Sequence, residues 1–205
     1  MTKAPTPVPQ LRGPSDHDVR DQIVEAATEY FGLYGYGKTT VSDLAKAIGF
    51  SKAYIYKFFD SKQAIGEVIC SNRLSTIMAA VDEAVAGVPA APERLRRMFK
   101  ALVEAGTDLF FNERKLYDIA ATSASESWPS VGAYEDHLKA QVLQIVRDGR
   151  ESGEFERKTP LDETVNAIYL VMRPYINPLL LQHNLDNATE ATTQLSNLIL
   201  RSLAP

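Results

Sequence analysis

Gly35 to Lys62 reads GYGKTTVSDLAKAIGFSKAYIYKFFDSK, and the spacing inside this stretch decides the class of the protein. Val41, Leu44, Ala45 and Ile48 stand at i, i+3, i+4 and i+7, one face of a helix that Thr40 can cap and Gly49 stops after two turns. Ser51 can cap a third short helix running to Phe58 or Phe59, and Ser61 a fourth running to about Ala86. Isolated helices below ~12 to 15 residues are marginal in water, so the second and third must pack on each other and on a first. Ala45 is small enough for a close crossing, Gly49 supplies a positive φ for the turn, and Ile55 plugs the core from the third helix. These are the offsets of a helix-turn-helix, and they also fit a plain helical hairpin inside a bundle.

Upstream, Val19, Ile23, Ala27 and Phe31 form one helical face behind Ser15 or Asp16 as N-cap, ending in the turn Gly35-Tyr36-Gly37. Residues 1–14 are Pro-rich and lack apolar periodicity, which predicts a disordered arm and no secretory signal. Downstream, GVPAAP (Gly87 to Pro92) is the clearest break in the chain. Amphipathic stretches follow at about 93–111, 113–124, 130–149, 160–184 and 188–203, with no alternating strand pattern and no internal repeat. The class is all-α: an N-terminal three-helix helix-turn-helix domain over 15–61, then a C-terminal helical bundle over 62–205, about nine helices together.

Composition narrows the function. The longest apolar run in the 205 residues is Ala167 to Met172, far short of the ~20 a membrane span needs, so a cytoplasmic location with no membrane partner is expected. Cys70 is the only cysteine, and His17, His137 and His183 are isolated, so neither a disulfide, a metal nor a cofactor is expected. A net charge of -4 argues against nucleic acid only as an average, because Lys38 to Lys62 sets five lysines against Asp43 and Asp60. No nucleophile-base constellation or phosphate-binding glycine loop occurs, which argues against an enzyme.

From Ile23 to Lys62 the chain resembles the TetR family of bacterial transcriptional regulators. The resemblance is carried by Gly35 and Tyr36, Thr39 to Val41, Leu44 with Ala45, Gly49 to Ser51, Ile55 with Tyr56, Phe59, and Ser61 with Lys62. It departs at Ala53, where the family usually has glycine, and at Tyr54, where a small threonine is common. Beyond this stretch only length, helix count and the turn Gly153 to Phe155 agree. The resemblance implies a homodimer on a palindromic double-stranded DNA operator, most often a repressor, that answers to a small-molecule effector.

A recognition helix enters the major groove by its N-terminal residues, which places Lys52, Ala53 and Tyr54 at base edges. Tyr54 also fits as a surface aromatic packed on the first helix; we take base or sugar contact. Thr40 caps the second helix, whose N-terminal amides, with Thr40 and Ser42, suit a phosphate. Tyr56, Lys57 and Lys62 read as phosphate anchors, Lys62 helped by the dipole of the fourth helix.

By the same resemblance, dimerisation falls to the last two helices. Leu195, Leu198 and Ile199 lie on one stripe of the final helix, which could equally be intramolecular core. Pro174 and Pro178 should kink the helix before it, leaving space near Tyr169, Met172 and Tyr175. With Phe110, Phe111, Tyr117, Trp128 and Tyr134, and His137 or Gln141 as orienting polar groups, these residues can line a pocket for an apolar or aromatic effector, though any single one also reads as plain core. A ligand-independent regulator, or a thiol switch at Cys70, is the alternative on the same fold, although a lone cysteine beside Val68 and Ile69 is usually buried and inert.

Overall fold

A computed structural model describes residues 16–205, so the expected arm over 1–14 and Ser15 as a cap lie outside the described residues. Among the described residues there are ten α-helices and no strand: α1 (Asp16–Tyr34), α2 (Val41–Ile48), α3 (Lys52–Ile55), α4 (Lys62–Val85), α5 (Ala91–Asn112), α6 (Arg114–Ser125), α7 (Pro129–Glu151), α8 (Leu161–Ile176), α9 (Pro178–Leu181) and α10 (Ala188–Ser202). A 3₁₀ turn over Leu185–Asn187 precedes α10. None of the described helices is long and apolar enough to cross a membrane.

The starts of the short helices follow from local chemistry. Thr40 and Asp43 form a reciprocal capping box on α2, and Gly49 closes that helix in the left-handed conformation at φ 72°. Ser51 accepts from the Tyr54 amide and Ser61 from the Ala64 amide, capping α3 and α4. Regular α3 ends at Ile55, earlier than its sequence suggests. The chain continues in tighter i to i+3 bonds, Lys57 N to Tyr54 O at 3.1 Å and Phe58 N to Ile55 O at 3.0 Å, which bring Phe59 into the core.

The expected single kinked helix over 160–184 is instead broken. Pro174 is accommodated inside α8, whereas Pro178 disfavours a helical residue before it and leaves Asn177 extended at φ -89°, ψ 124°. The Asn177 side chain then accepts from the Leu179 amide at 3.0 Å and starts α9.

Two apolar cores result. The N-terminal one joins α1, α2, α3 and the first turns of α4, and takes in Leu116 and Ile119 of α6 together with Trp128. The other gathers Met78 and Val81 of α4 with α5, α7, α8 and α10. Phe155 belongs to it because the turn at Gly153 (φ 80°) folds its ring onto α7, where it packs on Gly149 so closely that a Cβ there would overlap the ring. Helix α4 is thus common to both cores.

Candidate nucleic-acid interface and ligand cavity

Lys52, Ala53, Tyr56 and Lys57 are all exposed around α3, which leaves a basic face open to a nucleic acid. The cations and rings alternate: Lys52 Nζ lies 5.8 Å from the Tyr56 ring centre and Lys57 Nζ 5.6 Å from that of Tyr54. Tyr54 is half-buried between Phe50 and Phe58, edge-on to both at 5.0 and 5.3 Å, so its ring also orders α3. Arg20 of α1 holds the far end of this unit, donating to the Phe58 carbonyl and lying 4.2 Å over the Phe59 ring. Nothing in the sequence pattern singles Arg20 out, because its partners lie 38 and 39 residues away.

At the start of α2, Thr40 is exposed and Ser42 half-buried. The Thr40 hydroxyl donates to Asp43 Oδ2 at 2.6 Å and its amide to the same oxygen at 3.0 Å. That bonding, first from the hydroxyl and then from the amide, holds the Asp43 carboxyl below its usual range. The hydroxyl proton is therefore spent in the cap, and an approaching phosphate would meet the backbone amides of the first turn instead.

Lys62 corrects the sequence reading. Its ammonium turns inward, donating to the carbonyls of Tyr36 at 2.9 Å and Thr39 at 3.1 Å and lying 4.2 Å from the Tyr36 ring centre. Partial burial lowers its pKa, with Glu126 opposing the shift. A lysine so engaged ties the α1–α2 turn to α4 and is not a freely offered phosphate anchor.

Trp128 is a second correction. It does not line a pocket but is buried in the N-terminal core, 5.7 Å from the Tyr36 ring and against Gly66, with Nε1 donating to Glu126 Oε2 at 2.7 Å. Burial, then Glu126 and Glu67, push the Tyr36 hydroxyl up to about 12.

The enclosed space lies further along α4. Ile69, Leu74 and Ile77 of α4, Leu102 and Leu109 of α5 and Ile119 of α6 are among its walls, and it encloses about 60 Å³. Of the residues expected to line a pocket, Tyr117 and Tyr134 reach it. Tyr169 and Met172 are buried in the C-terminal core, Tyr175 packs on that core 6.5 Å from Phe99, and Phe110 stands edge-on to Tyr117 at 4.9 Å. His137 is exposed on α7. The walls of the space are mainly aliphatic, whereas most of the aromatic side chains pack in the cores. Cys70 is buried on this wall, its Sγ 3.3 Å from Ser123 Oγ.

Residues 23–68 match the family of bacterial regulatory proteins named for tetR, and residues 91–195 match the tetracyclin repressor-like C-terminal domain. The chain belongs to the TetR family. Members of this family are DNA-binding transcriptional regulators, typically ligand-responsive repressors, and not enzymes. The chain is 26% identical over 161 residues to the uncharacterized HTH-type transcriptional regulator YhgD of Bacillus subtilis, covering 78% of this chain and 81% of that one. Among solved structures it resembles the TetR-family regulator PfmR of Thermus thermophilus, 27% identical with TM-score 0.58, covering 90% of this chain and all 100% of that one. It also shares the fold of Thermus thermophilus FadR, a transcriptional repressor in complex with lauroyl-CoA, with 20% identity, TM-score 0.65, and coverage of 91% and 95%.

The expected dimer stripe of this TetR-family regulator divides in two. Leu198 is 57% exposed and Leu195 half-buried, whereas Ile199 is 5% exposed and belongs to the protein's own core. On the neighbouring helix α8, Leu170 is 53% exposed. Ile199 therefore has little surface left to offer a partner.

Proposed function

We propose that this TetR-family regulator binds a palindromic operator as a homodimer, through Lys52, Ala53, Tyr54, Tyr56 and Lys57 with the amides that open α2, and is released by a small apolar effector. On this reading residues 16–61 are the DNA-binding unit and 62–205 hold ligand and dimer partner, with Leu195, Leu198 and Leu170 in the interface, in the cytoplasm. The observation that carries it is the sharing of α4. Lys62 in its first turn grips the α1–α2 turn, and Ile69, Cys70, Arg73, Leu74 and Ile77 on the same helix wall the cavity.

Two recognition helices reach successive major grooves only when their separation is near ~34 to 36 Å, so a small tilt of α4 loses many contacts together. A ligand that fits better in the tilted state weakens operator binding by its differential affinity for the two states. The lauroyl-CoA complex of FadR supports a ligand-responsive role for this fold. The test begins with a duplex selected by the protein from a randomised pool. Anisotropy titration should give log K falling with log salt at a slope of about -0.9 per neutralised phosphate. A slope near zero would overturn the DNA-binding reading, and an effector whose affinity is unchanged by bound operator would overturn release.

A further inference from the structure

The cavity wall carries one charged side chain among the described residues, Arg73, and the position of that residue is informative. Arg73, Ile77 and Leu109 face the enclosed space and also a shallow groove outside it, between α4 and α5. Arg73 therefore stands at the mouth. Across it, Arg73 Nη2 meets Glu113 Oε2 at 2.5 Å, the two side chains being 40% and 35% exposed. Glu113 lines only the outer groove, with Asp108 beside it, and its side chain makes no capping bond to α6. Ion pairs this exposed contribute little, so a ligand anion can replace Glu113 at small cost.

The shape of the space selects the rest of the ligand. Wall residues run from Ile69 to Ile77 on α4, a distance of about 12 Å at 1.5 Å per residue. The walls are mainly aliphatic and the space between them is a small slot of about 60 Å³, which suits a flexible hydrocarbon chain better than a fused ring system.

We infer that the slot takes an aliphatic chain whose anionic head group sits on Arg73 in place of Glu113. This rests on the ligand-binding reading given above and names the class of effector. The charge sign follows from placement, because the cation belongs to the slot wall and the carboxylates to the groove outside. A guanidinium also offers paired donors that match a carboxylate or phosphate, so the head group is held in one orientation.

Calorimetry on the DNA-free, full-length protein tests this with decanoate below its micellar concentration, against decanol and decyltrimethylammonium. Decanoate should bind, decanol ~10-fold or more weakly for want of the charge-assisted bonds, and the cation not measurably. Along hexanoate, octanoate and decanoate, affinity should rise about four-fold per methylene while the chain still gains burial. Arg73→Gln should bring decanoate down to the affinity of decanol. Glu113→Gln, which removes the competitor, should tighten decanoate, and this opposite change distinguishes lost head-group binding from a damaged fold. Decanol equal to decanoate, or the cation preferred, would overturn the head-group assignment. Binding of none of the three would overturn the aliphatic slot, while operator binding, measured separately, would stand. Decanoate that binds without releasing operator would leave the ligand class in place and refute the release mechanism.

Discussion

Gly66 of α4 is packed against two aromatic rings, and adding one methyl group there probes the junction between the two cores. A Cβ would stand 2.9 Å from Trp128 Cη2, 3.0 Å from Tyr36 Cε2 and 3.1 Å from Trp128 Cζ3. Neither ring can swing aside: the indole is 1% exposed and bonded to Glu126, and Tyr36 is edge-on to both Phe31 at 5.2 Å and Trp128 at 5.7 Å. Gly66→Ala gains about 1 kcal/mol of helix propensity. Forcing a methyl into a filled core costs ~1 to 3 kcal/mol. With the overlap near the middle of that range, the variant should be destabilised by about 1 kcal/mol, or ~2 to 4 °C in Tm for a chain of this size. In a Trp128→Leu background both indole contacts disappear and Tyr36, no longer wedged against the indole, can give by the few tenths of an ångström its own 3.0 Å contact requires, so the same change should stabilise by about 1 kcal/mol, a coupling of ~2 kcal/mol. Urea unfolding followed by circular dichroism at fixed protein concentration reads both effects. A Gly66→Ala effect of the same sign in both backgrounds would refute the packing account.

Lys57→Met should weaken operator binding and make the salt slope shallower by about 0.9 with Tm unchanged, whereas Lys62→Met should lower Tm as well, because it frees the Tyr36 and Thr39 carbonyls. Equal Tm values for the two variants would return Lys62 to a surface role. Leu198→Glu is expected to give a folded monomer in sedimentation, and Ile199→Glu, at a position 5% exposed, an unfolded chain; a dimeric Leu198→Glu would move the interface elsewhere. Asp43, Asp148 and Glu156 are held below their usual 3.8, 3.8 and 4.5 chiefly by hydrogen bonds from Thr40, Arg94 and the Lys158 amide. Carboxyls with lowered folded-state pKa contribute stability that is present above their unfolded values and lost as pH falls through the folded ones. The urea midpoint should therefore fall below about pH 4, and less steeply in Asp148→Asn; a midpoint flat down to pH 3 would contradict this.

Much of the fold was readable because its signals are local. Thr40, Ser51 and Ser61 each cap the amide three residues ahead, and Gly49 supplies a conformation other residues resist, so helix starts and stops stand in the sequence itself. The exposed face of α3 was readable for the same reason, since Ala53 and Lys57, each two residues from the inward-facing Ile55, must stand on the opposite side, while Lys52 is exposed at the start of the helix. Pro178 marked a disruption; that it is a break and not a kink follows from Asn177, extended before the proline and capping the next helix.

Which partner each buried side chain meets was not readable. Periodicity says that Trp128, Tyr169 and Met172 are apolar and inward, but whether inward means core or cavity depends on how α4 crosses α5, α6 and α7. Leu198 and Ile199 are adjacent in sequence yet 57% and 5% exposed, a difference set by the rotation of α10 on its neighbours. Lys62 and Arg73 look alike as charges on one helix; the fold turns the first onto backbone carbonyls 23 and 26 residues away and places the second at the mouth of a slot. Local backbone chemistry thus sets the helices and the α3 surface, while the angles at which those helices cross, a property of packing among residues far apart in sequence, decide where charge and empty space come together.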